Sequence, residues 1–217
     1  MQPYLLYLRK GNIMNRINYL NQVLLVFRWL VVGSLLLQGL IMARNATAET
    51  IEVEGVAFPV SYQSGEVKLE LRGAAVLRWA RLVDLYAGAF YLPAGVDASK
   101  WGSDVDKHLE LCYFREIPAK GFIEASQDHL QDNLPADRLG GLQARLNDLY
   151  KLFKDVGPGD RYILAYTPDV GTVLKLNGEP LGTIPGADFA EAYFGIWLGE
   201  SPLNKRFRDQ VLGISSS

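Results

Sequence analysis

The chain has 217 residues, 49% of them hydrophobic, which fits one globular domain and would make two domains cramped. Residues 1–48 hold five basic and no acidic side chains, so the remainder has 17 basic against 24 acidic residues, a formal charge of −7. Such an acidic body should repel nucleic acid and anionic lipid headgroups, which excludes both as expected partners of the folded part.

The apolar segment near the N-terminus is predicted to be a signal peptide. Its longest uncharged stretch, Trp29 to Ala43, has the length of a signal-peptide core and falls short of the ~20 residues that comfortably span a bilayer. The basic residues Arg16 and Arg28 precede it, and Ala46 to Ala48 supplies the small-x-small pattern that a signal peptidase requires.

Cleavage after Ala48 would make residues 1–48 a targeting segment and Glu49 the new N-terminus. Either Met1 or Met14 is the initiator. The alternative is an uncleaved N-terminal membrane anchor. Both hypotheses place the folded part outside the cytoplasm, in the periplasm or otherwise exported, and neither inserts the mature domain into the membrane.

Strand patterns come first in the mature chain. Val67 to Leu71 alternates apolar and charged residues, which predicts a strand with one solvated face. Ala74 to Leu92 is too long for one ordinary strand and is predicted to form a hairpin with its turn near Trp79 to Arg81. Another strand is predicted from Leu109 to Phe114, which makes the lone Cys112 a small buried core residue.

Helical spacing then replaces the alternation. A helix is predicted from Ala119 to Asn133, and a stripe of leucines spaced by three and four continues from Leu139 to Phe153 and ends before Gly157. Three short apolar runs between Tyr162 and Ile184 predict a meander of antiparallel strands. Asn177-Gly178 is the preferred pair for a type I′ hairpin turn.

Two helices close the predicted fold. Phe189 to Leu198 is strongly amphipathic, with Gly199 as its expected left-handed terminator. Ser201 and Pro202 predict the start of a final helix that runs to about Leu212. Antiparallel strands with helices grouped between and after them indicate an α+β fold in residues 49–217, a large antiparallel sheet covered by a layer of helices. The absence of βαβ units and of a Gly-rich phosphate loop disfavours nucleotide-binding folds.

An ordered set of motifs resembles the chalcone isomerase-like family, in particular its bacterial exported members. The set comprises Gly73 to Arg78, Asp84 to Leu92, Gly159-Asp160, Asn177 to Gly186 and Phe189 to Gly199. The resemblance covers about Ile51 to Gly213. It implies an open-faced β-sandwich with a ligand cleft between the sheet and the helices. The family includes enzymes that close chalcones into flavanones and relatives that bind fatty acids without catalysis, so the fold alone does not choose a function.

Three residues are the candidate ligand-binding site. Arg78 matches the family's cleft arginine, which polarises a ketone in the enzymes and is associated with the carboxylate in the binders; a guanidinium suits both tasks. Tyr86 matches a hydroxyl-bearing position and resembles the binders. Asp84 has the same strand parity as Tyr86, so we expect it on the same face, where it would pair with Arg78 and compete with an anionic ligand. Alternatively, each of the three is a surface or core residue without a ligand-binding role.

Other chemistries have little support in the sequence. The two histidines, His108 and His129, lie in different predicted elements, and no metal-binding spacing is present, so we expect no metal and no cofactor. The helix from Ala119 to Asn133 lacks the tyrosine of the plant enzymes. We therefore expect non-catalytic binding of a fatty acid or a similar small apolar or amphipathic molecule. The alternative is an isomerase, an intramolecular lyase with Arg78 as its electrophile, for which no general base is apparent.

Overall fold

The computed structural model describes residues 49–79 and 83–214 of the chain. The predicted signal peptide and the tip of the predicted hairpin lie outside these residues. The strands are β1 (Thr50–Val53), β2 (Val56–Pro59), β3 (Ser61–Ser64), β4 (Val67–Trp79), β5 (Val83–Pro93), β6 (Lys107–Tyr113), β7 (Arg161–Thr167), β8 (Gly171–Leu176) and β9 (Glu179–Ile184). The helices are α1 (Ala119–Asn133), α2 (Ala136–Tyr150), α3 (Ala187–Leu198) and α4 (Lys205–Val211), with a short 3₁₀ turn at Ala98–Lys100.

Strands β3 to β9 form one curled antiparallel sheet of seven strands in the order of the sequence, and β1 pairs with β2 in a separate hairpin. Each of these strands pairs antiparallel with the next one along the chain. Short turns join β3 to β4 and β7 to β9, whereas residues 114–160, which contain α1 and α2, connect β6 to β7. The predicted hairpin of β4 and β5 and the predicted meander of β7 to β9 are confirmed.

Two separate apolar cores lie on the two faces of the large sheet. Helices α1 to α4 lie over one face, with Phe90, Leu109 and Tyr193 among the buried residues. The β1–β2 hairpin covers part of the other face, where Phe58 and Tyr91 are fully buried. The predicted α+β fold, an open-faced β-sandwich with a sheet covered by helices, is confirmed. None of the helices in the described residues is long and apolar enough to span a bilayer.

A helix break separates the helix predicted from Ala119 to Asn133 from the leucine stripe that follows it. Helix α1 ends at Asn133, Leu134 is extended with φ −108° and ψ 142°, and Pro135 precedes α2. A residue before proline is disfavoured in the helical region, which explains the break. Helix α2 ends at Tyr150, so Phe153 lies beyond it and stacks on Phe122 with 5.4 Å between ring centroids.

The predicted hairpin turn at Asn177-Gly178 is found, but the predictions for the end of α3 and the start of α4 are wrong. Asn177 and Gly178 have φ of 52° and 87°, as a type I′ turn requires. Gly199 is extended rather than left-handed, with φ −70° and ψ −175°. A Cβ there would lie 2.7 Å from the Gly195 carbonyl oxygen, so close packing explains the glycine. The final helix begins after Asn204, whose side chain accepts from Phe207 N at 2.9 Å, and not at Ser201.

A buried polar cluster lies on the face of the sheet opposite the helices. Glu110 is 2% exposed and accepts hydrogen bonds from Tyr62 at 2.6 Å and from Arg161. His108 stacks on Tyr62 with 4.4 Å between ring centroids. Burial alone would raise the pKa of Glu110, but the His108 imidazole, whose Nε2 lies 3.8 Å from Glu110 Oε2, and hydrogen bonds from Tyr62 and Arg161 lower it to about 2. The cluster ties strands β3, β6 and β7 together.

Candidate ligand cleft

A cleft of about 370 Å³ lies between the helix-covered face of the large sheet and helices α1 and α3. Its floor is formed by side chains of one parity on neighbouring strands, because alternate residues of a strand face the same side. The lining is apolar except for scattered hydroxyl, amide and indole groups and one guanidinium; it comprises Leu77, Arg78, Leu85, Tyr86, Leu109, Leu111, Tyr113, Ile117, Gly121, Phe122, Ala125, Ser126, Phe153, Tyr162, Leu164, Leu174, Tyr193, Ile196, Trp197, Leu203 and Asn204.

The helical wall of the cleft is held by specific contacts. The hydroxyls of Ser126 on α1 and Tyr193 on α3 lie 2.9 Å apart and share a buried hydrogen bond. Asp155 accepts from Ala119 N at 2.8 Å, which satisfies a free N–H at the start of α1, where Pro118 provides no side-chain cap. The first bond holds α1 to α3, and the second holds the start of α1 to the loop that precedes β7.

Tyr86 lies in this cleft and is 6% exposed. The Trp197 indole Nε1 donates to its hydroxyl oxygen at 2.8 Å, a contact between β5 and α3 that the sequence did not predict. Burial raises the pKa of Tyr86 well above its ordinary value, so the phenol stays neutral. Because its oxygen is the acceptor in this bond, its own proton remains able to donate into the cleft.

Tyr113 is another of the cleft's tyrosines and was not identified from the sequence. It lies at the end of β6, 3% exposed, with its ring edge-on to that of Tyr86 at 5.5 Å between centroids. Within residues 49–79 and 83–214, no hydrogen-bonding group engages its hydroxyl, and burial raises its pKa. The sequence could have identified Tyr113, because it alternates with Leu109 and Leu111 and so lies on the same face of the strand as they do.

Arg78 lines the mouth of the cleft but its guanidinium is already bound by carboxylates. Its Nε lies 2.6 Å from Asp84 Oδ1, and its Nη2 lies 2.9 Å from Glu54 Oε1. The pairing of Arg78 with Asp84 is as predicted, whereas the contact with Glu54, in the β1–β2 turn, was not. Hydrogen bonds and charge from Asp84 outweigh a small desolvation effect and, with Glu54, raise the pKa of Arg78.

The prediction that Asp84 and Tyr86 share a face is wrong because of a β-bulge. Leu77 is the register partner of Tyr86, but Arg78 is already opposite Asp84, so Leu85 has no partner of its own. Leu85 and Tyr86 consequently both line the cleft, and Asp84 does not. Of the three candidate residues, the structure brings Tyr86 inside the cleft, leaves Arg78 at its mouth and places Asp84 outside.

A second depression of about 960 Å³ adjoins the mouth on the other side of Arg78. It lies between the β1–β2 turn, β4 and the start of α4. Charged residues of both signs line it: Glu52, Glu54, Arg78, Lys205 and Arg206. An apolar molecule in an open groove of mixed charge would stay largely in contact with water. The cleft is therefore the better candidate site for such a molecule.

The remaining sequence candidates have structural explanations. Cys112 is buried on the opposite face of the sheet, with its Sγ 3.8 Å from the Gly159 carbonyl oxygen. Asn133 Nδ2 donates to the His129 carbonyl at 2.8 Å, as expected at a helix end. The described part of the chain contains no group of three or more His, Cys, Asp or Glu residues arranged to hold a metal ion.

Comparison with known proteins gives a family match and a fold match. The model of the chalcone isomerase-like family matches residues 49–213. A search of curated proteins gives no match. Among solved structures, the fold is similar to that of a fatty-acid binding protein from Arabidopsis thaliana, with a TM-score of 0.59 and 18% sequence identity over 76% of this chain and 96% of that one. At this identity, the likeness shows a shared fold.

Proposed function

Because the chain belongs to the chalcone isomerase-like family, as its motifs predicted, we propose that its folded part binds a small apolar or amphipathic molecule without catalysing a reaction on it. The observation that supports this most strongly is the cleft itself. It is formed by packed sheet and helix side chains, and most of its lining residues are apolar or aromatic. Ligand sites in proteins commonly combine an apolar lining with a few placed polar groups.

The size of the cleft favours a single acyl chain or a molecule of similar bulk. A volume of about 370 Å³ holds on the order of a dozen water-sized groups, at about 30 Å³ each. A fatty acid or a related amphiphile with about ten carbon atoms fits this space. The fatty-acid binding protein from Arabidopsis thaliana has the same fold, which supports a ligand of this class.

Catalysis is disfavoured because the cleft lining has no group suited to act as a base. The described lining includes no carboxylate and no histidine, and burial keeps the phenols of Tyr86 and Tyr113 neutral. Proton abstraction requires a positioned base with a pKa near the working pH. The alternative isomerase would need Arg78 to polarise a substrate carbonyl, but two of its donor nitrogens already bind carboxylates.

Binding can be tested with N-phenyl-1-naphthylamine, a neutral apolar dye whose fluorescence rises in a dry environment. We expect one equivalent to bind the mature protein, because the cleft is the one site proposed for apolar molecules. Decanoic acid or its methyl ester should displace the dye. A protein that binds neither the dye nor any ten-carbon amphiphile would contradict the proposed function.

We also propose that the protein is exported, with residues 1–48 removed as a signal peptide. N-terminal sequencing of the exported form should then give Glu49 as the first residue. Ala48→Leu should block cleavage, since the peptidase requires a small residue there, whereas Thr47→Leu at the tolerant middle position should not. Recovery of a membrane-bound chain that retains Trp29 to Ala43 would instead support the alternative of an N-terminal anchor.

A further inference from the structure

Most polar side chains that line the cleft already make hydrogen bonds within the protein. The Tyr162 hydroxyl donates to the Lys154 carbonyl at 2.9 Å and accepts from Lys154 N at 2.8 Å. Ser126 and Tyr193 share their hydrogen bond, and Asn204 caps helix α4. Within the described lining, this leaves the proton of Tyr86, the hydroxyl of Tyr113 and the amide Nδ2 of Asn204 as the neutral donors for a ligand.

The charged side chain of the described cleft lining is not free to bind an anion. Arg78 is the one charged residue of the described lining, and its guanidinium binds Asp84 and Glu54 at 2.6 and 2.9 Å. These three side chains together carry a formal charge of −1. A ligand carboxylate that approached Arg78 would meet two carboxylates already in place, and it would lose hydration while Arg78 stays paired with them.

Resting on the proposed binding function, we propose that the cleft selects amphiphiles whose head group is a neutral hydrogen-bond acceptor, such as a ketone or an ester, over those with a carboxylate. Two phenol donors satisfy the lone pairs of a carbonyl oxygen. A neutral carbonyl is also much less costly to bury than an anion. The Asp84–Arg78–Glu54 trio acts as a filter at the mouth, because it occupies the cation that would otherwise recruit carboxylates.

The test compares decanoic acid, methyl decanoate and n-decane as competitors of N-phenyl-1-naphthylamine at pH 8, where the free acid is ionised. We expect the ester to bind at least tenfold more tightly than the acid and also more tightly than n-decane, which lacks an acceptor. If the acid binds as tightly as the ester or more tightly, the proposed selectivity is wrong while the binding function stands. If the dye and all three competitors fail to bind, the binding function is wrong as well.

Variants at the mouth sharpen the test. In the double variant Glu54→Gln and Asp84→Asn, Arg78 becomes available, and the preference should shift by at least tenfold toward decanoic acid. Glu52→Gln is the matched control, since Glu52 lines the adjoining groove and makes no ion pair with Arg78 in the described structure. An unchanged preference between the ester and the acid in the double variant would contradict the proposal that Asp84 and Glu54 disfavour carboxylates by binding Arg78.

A variant inside the cleft tests the donors. Tyr113→Phe should weaken methyl decanoate several-fold and leave n-decane unchanged, because it removes one hydroxyl and keeps the ring packed against Tyr86. Equal losses for the ester and the alkane would show that the ring, and not the hydroxyl, contributes to binding, which would contradict the proposed head-group recognition.

Discussion

Replacing Glu110 by glutamine should lower the free energy of unfolding at pH 7 by about 3 kcal/mol, the lower end of the ~3–5 kcal/mol range for disrupting a buried ion pair. The substitution keeps the shape of the side chain but removes the charge that Arg161 and Tyr62 bind. Arg161 retains 30% exposure and can be partly rehydrated, which limits the loss. Urea denaturation of both proteins measures the difference.

The dependence of this difference on pH gives a second readout with a definite sign. The pKa of Glu110 is lowered from 4.5 to about 2 in the fold, so its charge stabilises the protein above about pH 4.5. That contribution is lost as pH falls from 4.5 toward 2. The difference in the free energy of unfolding between wild type and Glu110→Gln should therefore be largest near pH 7 and smaller at pH 3.

The control for this prediction is Glu70→Gln. Glu70 is half-exposed and lies 3.8 Å from Lys68 and 3.9 Å from Arg72, and such surface pairs contribute roughly 0–1 kcal/mol each. Two results would contradict the stabilising role of the buried cluster. One is an equal loss in the free energy of unfolding for Glu70→Gln and Glu110→Gln, and the other is a loss for Glu110→Gln that is the same at pH 7 and pH 3.

Replacing Leu164 by tryptophan should abolish binding of N-phenyl-1-naphthylamine or weaken it by at least tenfold, a loss of about 1.4 kcal/mol or more. Leu164 lies at the centre of the cleft floor, in register with Leu109 on one side and Leu174 on the other. The indole would extend into the space that the ligand requires. Because the cleft offers room, the cost in stability should stay within the ~1–3 kcal/mol of overpacking.

Ile163→Trp is the matched control for this experiment. Ile163 is the preceding residue of the same strand and faces the opposite side of the sheet, outside the cleft lining. The control should fold and bind the dye like the wild type. A Leu164→Trp variant that still binds with wild-type affinity would show that the dye occupies another site.

The sequence predicts most of the large sheet and the helices because their periodicity is strong. The hairpin of β4 and β5 and the meander after Tyr162 follow from alternation and turn residues, and they are found as predicted. The short strands β1 to β3 were not predicted. Each has four residues, too few to establish a period, and they are held by packing on the face around Phe58 and Tyr91.

The candidate site was predicted in part, and its errors have local causes. The pairing of Arg78 with Asp84 could be inferred because both residues lie near the same hairpin turn. The bulge at Leu85 could not be inferred, because an unpaired residue does not change the pattern of apolar residues in the sequence. The bulge places Asp84 on the opposite side of the sheet from the one predicted. The contact of Glu54 with Arg78 depends on where the β1–β2 hairpin packs, which is a tertiary property.

Native mass spectrometry of the mature protein purified from its own host tests most directly whether the cleft is a ligand site. We expect an added mass that corresponds to one small apolar molecule per chain. This mass should be lost or greatly reduced in Leu164→Trp and retained in Ile163→Trp. The same adduct on all three proteins would place the ligand outside the cleft. Its absence from wild-type protein that also fails to bind ten-carbon amphiphiles would contradict the proposed binding function.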